Sequence, residues 1–218
     1  MSDFADNLTA GSTPQNAYDY AHERSNSPFD QRHRFVAAAA WKLPIGKGGL
    51  LLNNSSLTSS LVGGWQLNAI VTLQTGNPFN VTAADNSQTG GNHNSYANCV
   101  GNPFAGATSD RSQAASPASP LRFLSLSAFS QPGVGTFGSC RPRMYHGPGR
   151  QNVDLSVFKQ FRLGEARQIE LRFEAFNAFN HANFGNPSSS VANPVTFGQI
   201  TSVVGDARQI QVAGKFYF

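Results

Sequence analysis

The chain has 218 residues, a formal net charge of +4, and only 13% charged residues, about half the usual share. With a mean hydropathy of −0.30, the missing charge is replaced by Gly, Ser, Asn, Thr and Gln, alongside 17 Phe. Four Glu and four Lys are too few for long helices; no run of about 18 apolar residues offers a membrane helix, and the aromatic content excludes a disordered chain.

The N-terminus, Met1-Ser2-Asp3-Phe4-Ala5-Asp6, lacks the basic stretch and apolar core of a signal peptide. Beyond residue 31, strict alternation of apolar and polar positions marks five strands. The first sets Phe35, Ala37, Ala39, Trp41 and Leu43 against Arg34, Ala38 and Lys42. The second sets Trp65, Leu67, Ala69, Val71 and Leu73 against Gln66, Asn68, Ile70, Thr72 and Gln74. In the third, Val153, Leu155, Val157, Phe161 and Leu163 oppose Asp154, Ser156, Gln160 and Arg162, with Lys159 and Phe158 each on the wrong face. A local bulge or a snorkelling lysine accounts for that break equally well. The fourth sets Ile169, Leu171, Phe173 and Ala175 against Gln168, Glu170, Arg172 and Glu174. The fifth, Ile210, Val212, Gly214, Phe216 and Phe218 against Gln209, Gln211, Lys215 and Tyr217, runs to the last residue.

The connections alternate in length. A tight turn around Gly164-Glu165-Ala166 joins strands three and four, and a moderate connection opening Pro44-Ile45-Gly46-Lys47-Gly48-Gly49 joins one and two. The other two are long and rich in Gly, Ser, Pro and Asn. The chain thus reads as a loop at 1–31, strands one and two within 32–76, a long loop at 77–150, strands three and four within 151–178, a loop at 179–206 and a C-terminal strand at 207–218. Loops this long make a poor soluble core. They suit an all-β fold of antiparallel, up-and-down transmembrane β-barrel strands, with short turns on one side of the membrane and long loops outside. Trp41, Trp65 and Phe161, with Phe216 and Phe218, then share one membrane level as an aromatic girdle. A soluble β-barrel or sandwich has the same alternation, but the loop lengths, scarce charge and aromatic terminus favour the membrane.

Other chemistry is sparse. Gly46-Lys47-Gly48-Gly49 lacks the spacing and hydroxyl of a phosphate loop. His22, His33, His93, His146 and His181 are dispersed, and neither they nor the two cysteines show zinc spacing. No nucleophile elbow or Ser/His/Asp order appears, so no enzyme and no cofactor is expected. Glu170, Arg172 and Glu174 are expected to face the lumen and pair with neighbouring charges. Cys99 and Cys140 form one bridge if the compartment is oxidising, and are free thiols otherwise. The basic residues show no nucleic-acid motif. Arg141, Arg143 and Arg150 are the local cluster, beside the top of strand three, where lipopolysaccharide phosphates would meet them; packing within the loop is the alternative.

Two stretches carry a family resemblance: Phe137-Gly138 with Gly147-Pro148-Gly149-Arg150-Gln151-Asn152-Val153-Asp154-Leu155, and Glu170-Leu171-Arg172-Phe173-Glu174-Ala175-Phe176-Asn177-Ala178-Phe179-Asn180-His181 with Asn183-Phe184-Gly185. Together with Phe29-Asp30-Gln31-Arg32-His33-Arg34-Phe35, Leu43-Pro44-Ile45-Gly46, Gly63-Gly64-Trp65-Gln66-Leu67 and Gln74-Thr75-Gly76-Asn77-Pro78-Phe79, they resemble the C-terminal barrel region of TonB-dependent outer-membrane transporters. The likeness is greatest to the Oar-like group, whose members often carry a carboxypeptidase-regulatory-like domain. Gln211, Ala213, Phe216 and Phe218 are similar to the C-terminal signal read by the barrel-assembly machinery, with Ala where Gly is common; an ordinary aromatic-ended edge strand is the plain alternative.

The resemblance implies an outer-membrane location, contact with lipid and lipopolysaccharide, and a role in taking up a bulky nutrient such as an iron chelate, cobalamin or glycan. The plug, energy-coupling box and signal peptide of such transporters are not seen in this sequence. The expectation is therefore a C-terminal fragment, not transport-competent alone, that meets the TonB system only through a missing N-terminal plug. A secreted or periplasmic β-rich binding or adhesion module is the alternative function.

Overall fold

A computed structural model of the chain describes residues 13–46, 50–51, 61–90, 93–106, 122–164 and 167–218. Among these are a one-turn helix α1 (Tyr20–Glu23) and strands β1 (Arg34–Lys42), β2 (Trp65–Gln74), β3 (Pro78–Phe79), β4 (Asn98–Cys99), β5 (Phe129–Ser130), β6 (Tyr145–His146), β7 (Arg150–Leu163), β8 (Arg167–Phe176) and β9 (Gln209–Tyr217). No helix is long and apolar enough to cross a membrane. Residues 47–49 of the glycine-rich connection and 165–166 of the expected tight turn lie outside the described residues. The chain divides into two compact units. One comprises His33–Gln74, Arg150–Asn183 and Gly205–Phe218; the other comprises Met1–Arg32, Thr75–Gly149 and Phe184–Val204.

The first unit is a five-stranded sheet in the order β1-β2-β7-β8-β9, antiparallel throughout and not closed. Because side chains alternate across a strand, the register decides whether five separate alternations make one face. They do. Trp41, Leu67, Val157, Phe173 and Val212 oppose one another in a row across all five strands, and Ala39, Ala69, Leu155, Ala175 and Ile210 form the row beside it. The opposite face carries the row Ala40, Asn68, Ser156, Glu174 and Gln211.

The break at Phe158 and Lys159 is not a bulge. Pairing runs without an inserted residue through Gln66↔Phe158 and Trp65↔Lys159. Lys159 stays on the apolar face and folds back into the chain, only 2% exposed. Its ammonium donates to Leu61 O at 2.9 Å and to Gly63 O, and lies 5.2 Å from the Trp65 ring centre and 4.8 Å from that of Phe161. Gly64 makes this turn achievable: its φ is +73°, and a Cβ there would stand 2.6 Å from Gln160 O.

The second unit gathers the long loops, which do pack. Phe79, Val81, Tyr96, Ala97, Leu124, Ala128, Phe129, Cys140, Val191 and Phe197 form its buried apolar cluster. Aromatic rings tie distant stretches together: Phe129 lies 5.4 Å from Phe197 and 5.6 Å from Tyr145, with near-perpendicular rings in the second pair. Among the described residues regular pairing is minimal, limited to β3 with β6, β4 with β5, and isolated bridges such as Thr82↔Tyr96. Backbones meet directly instead. A Cβ on Gly138 would sit 1.9 Å from Tyr96 O, so only glycine fits there.

Candidate functional site: the two faces of the sheet and the packed loops

The apolar face is a surface rather than a core. Trp41 is 59% exposed and Phe216 51%, and Phe35, Leu73, Phe173, Ile210 and Val212 are likewise open. A continuous apolar face of this extent needs an apolar solvent. Its aromatic residues form a staircase. Trp41 pairs with Leu67, Trp65 lies one same-face position further along, opposite Lys159, and Phe161 one beyond that, opposite Ile169, which also pairs with Phe216. Tilted strands cross a single depth at such successively displaced residues.

The polar face carries a charge network near the same end. Arg172 Nε donates to Glu170 Oε1 at 2.6 Å, Gln160 Nε2 donates to Glu170 Oε2 at 2.9 Å, and the Arg172 guanidinium rests 4.7 Å from the Phe158 ring. Phe158, out of place in the alternation, is thus the platform for an arginine.

At the other end, asparagines organise the chain where it leaves β8. Asn177, in a left-handed conformation at φ +48°, donates from Nδ2 to His181 O and Asp206 O, both at 3.0 Å. It accepts from His181 N at 2.8 Å, and its own N–H donates to Asp154 Oδ1 at 2.9 Å. Asn183 exchanges two bonds with the backbone of Gln151. The Asn177–Asn183 stretch therefore staples the departing loop to β7 and to the chain that re-enters as β9. The stretch is part of the family resemblance, but the role of its asparagines does not show in the sequence.

In β9, Gln211 opposes Glu174 and Ala213 opposes Arg172 on the polar face, while Phe216 opposes Ile169 on the apolar face and its ring lies 6.0 Å from that of Phe218.

In the loop unit, Cys99 and Cys140 are joined by a disulfide, with Cα atoms 5.1 Å apart. Of the arginine cluster, Arg143 takes the alternative of packing within the loop. Arg143 is only 5% exposed and does not offer its charge to a lipid. Its guanidinium donates to Asn26 O and, at 2.8 Å, to Ser25 Oγ; its N–H donates to Asn80 Oδ1, and its carbonyl accepts from Asn26 Nδ2. A buried guanidinium needs such partners. Arg141 is exposed, and Arg150 opens β7 opposite Gln74.

Arg143 is one end of a polar strap that sequence reasoning missed. Gln15 Oε1 accepts from Tyr96 N and Gly138 N, and Gln15 Nε2 donates to Gly138 O at 3.0 Å. Buried Glu23 accepts from Gln15 N at 2.8 Å and from the Tyr96 hydroxyl at 3.4 Å. Burial, and then the Glu23 charge, push the Tyr96 hydroxyl well above the ordinary tyrosine range. Burial alone raises Tyr145.

One cluster resembles a hydrolytic triad in composition only. His93 Nε2 lies 3.0 Å from Ser87 Oγ, 2.8 Å from Thr89 Oγ1 and 3.4 Å from Asp85 Oδ2, while Nδ1 faces Asn94 O. All three side chains meet one ring nitrogen, so no carboxylate orients the imidazole from behind. Hydrogen bonds from the Ser87 hydroxyl and backbone hold Asp85 below the usual carboxylate range. Among the described residues, no three His, Cys, Asp or Glu side chains are grouped to hold a metal.

These features are an apolar outer face, a polar face with paired charges, and long connections leaving the sheet at one end. A family model described as an outer membrane beta barrel domain matches residues 1–211. No curated protein and no solved structure matches the chain. The chain belongs to the outer membrane beta barrel domain family, and its place is the outer membrane.

Proposed function

We propose that the chain is the C-terminal part of the barrel of a TonB-dependent, Oar-like transporter for a bulky nutrient such as an iron chelate, cobalamin or glycan. The observation that carries this reading is the open sheet: among the described residues, five strands with one apolar face leave unpaired edges on both sides, and a membrane does not tolerate free strand edges. The remaining strands and the lumenal plug then belong to the rest of the transporter, and β9 supplies the assembly signal through Gln211, Ala213, Phe216 and Phe218. The packed loop unit supports a ligand-facing role for the long connections, since its buried core fixes their shape. Arg141 and Arg150 remain the residues for a lipopolysaccharide contact, tested by lipopolysaccharide retention in the double glutamine variant.

The DNA upstream of the Met1 codon tests the transporter reading. An in-frame plug and about seventeen further strands support it; a short barrel closed without a plug overturns it. Energy-dependent uptake of ferric chelates, cobalamin and oligosaccharides by the assembled protein then identifies the substrate.

A further inference from the structure

Residues 13–26 lie across the loop unit as a strap, and polar groups hold it there. Its two buried side chains, Gln15 and Glu23, are both polar, while Tyr18 and Tyr20 are exposed. The strap bonds to two stretches at once, 94–96 and 138–143. On the first, Asn94 N donates to Thr13 O at 3.3 Å and the Tyr96 hydroxyl donates to Glu23. On the second, His22 Nε2 lies 3.1 Å from Cys140 O, and Arg143 bonds to Ser25 and Asn26. The Gln15 side chain spans both, because its one amide bonds Tyr96 N together with Gly138 N and O. The first stretch runs on into Cys99 and the second contains Cys140, so the disulfide ties the two together. Beside it, Cys140 N donates to Ala97 O at 2.9 Å and Ser139 N to Asn98 Oδ1 at 3.0 Å.

Apolar packing is non-directional, but a hydrogen bond weakens steeply once its length or angle slips. The Gln15 amide therefore makes its bonds only while the backbones at 96 and 138 keep their present spacing. Without the covalent tie, two points 41 residues apart in sequence regain freedom to shift against each other. We infer that residues 13–26 form a redox latch, docked while the Cys99–Cys140 bond is intact and released when a dithiol reduces it. Cys99 is half-buried and Cys140 buried, so a thiolate of the dithiol attacks the Cys99 sulfur. The S–S bond breaks, and Cys140 leaves as a thiolate that takes up a proton. The second thiol of the reagent then closes on the mixed disulfide and releases Cys99 as a thiol. Two electrons and two protons thus pass to the protein from the dithiol, which becomes a cyclic disulfide. Release of the strap uncovers Tyr96, Gly138 and Arg143. The inference goes beyond the transporter reading and does not depend on it, because every contact it uses lies within the loop unit.

The test uses the protein in outer membranes isolated from the cells that make it, so that nothing is refolded. Trypsin cuts after Arg24, exposed on the strap, and after Arg122, whose guanidinium donates to Phe197 O in the core. Both cuts are followed by peptide mass, with and without dithiothreitol. The expected result is that reduction speeds the Arg24 cut at least about tenfold and the Arg122 cut less than about twofold. The Cys99→Ala/Cys140→Ala double variant is expected to show the same pattern without reductant, which decides the case where the dithiol fails to reach the bond. An Arg24 cut that stays slow in the double variant, or that speeds no more than the Arg122 cut, overturns the inference.

Discussion

The two units of the chain bury opposite things. In the loop unit the buried side chains include Phe79, Val81, Leu124, Phe129 and Phe197, as in any water-soluble domain. In the sheet unit the buried side chains among the described residues are polar, namely Lys159, Glu170 and Asn177, while Trp41, Phe173, Ile210 and Phe216 lie open. Water drives the first arrangement through the hydrophobic effect. The second is stable only where lipid replaces water, because there the uncompensated polar group becomes the costly one. One polypeptide is thus patterned for two solvents, and its chain order passes repeatedly from one to the other.

The sharpest way to separate the units is to damage one and watch both. Trp41 and Trp65 are the only tryptophans and both lie in the sheet unit, so tryptophan emission reports the sheet alone. Phe197→Ala is expected to cost about 3–5 kcal/mol, opening the loops to protease in urea at concentrations that leave tryptophan emission unchanged. Loss of both signals together would erase the distinction between the units. Val157→Arg, in the middle of the apolar row, is expected to destabilise the lipid-inserted sheet by about 2–4 kcal/mol. Ser156→Arg, one residue away on the polar face, should cost well under half of that, read as the shift in urea midpoint of tryptophan emission in vesicles.

Lys159→Met tests the exception on the apolar face. It leaves Leu61 O and Gly63 O without this donor, for an expected loss of about 1–3 kcal/mol, even though the face gains an apolar side chain. An unchanged or higher midpoint would show that the lysine contributes nothing there.

The smallest effect is alkaline. The Tyr96 hydroxyl is raised in the folded loop unit, so the folded state holds its proton more tightly than the unfolded chain does. Its contribution is complete below the ordinary tyrosine value near pH 10 and declines as pH rises above it. Tyr96→Phe should flatten that decline at high pH, at a neutral-pH cost of no more than about 1 kcal/mol. Proteolysis of the loops across pH 8–11 reads the difference, and identical curves would remove Tyr96 from the account.

The sheet was legible in the sequence because its solvent boundary repeats every second residue. Five alternations, from Phe35 to Phe218, show the strands before any pairing is known, and Lys159 stands out as a break. What Lys159 touches did not show, since the carbonyls of Leu61 and Gly63 come to it only through the β2–β7 register. The loop core was not legible for the same reason in reverse. Its strands are two residues long, and its contacts join residues far apart in sequence, such as Gln15 with Gly138 and Asn26 with Arg143. No periodicity records such contacts. That is also why the two readings of the arginine cluster stayed open: the Arg143 guanidinium packs against Asn26 and Ser25, more than a hundred positions upstream.

The disulfide carries a statement about time. Cys140 is sealed in the apolar cluster and Cys99 packs against it. Forming the bond removes two electrons and two protons from the pair of thiols, and the thiolate must attack in line an incoming disulfide that has room to approach. A finished loop unit gives no such room around Cys140. In the folded chain the oxidant must therefore meet the half-buried Cys99, and Cys140 then attacks that mixed disulfide from within and expels the second thiol. In vitro, the reduced and unfolded chain should be oxidised by glutathione disulfide at least about tenfold faster than the reduced and folded one. Equal rates would mean that folding leaves Cys99 as open to the oxidant as it is in the unfolded chain.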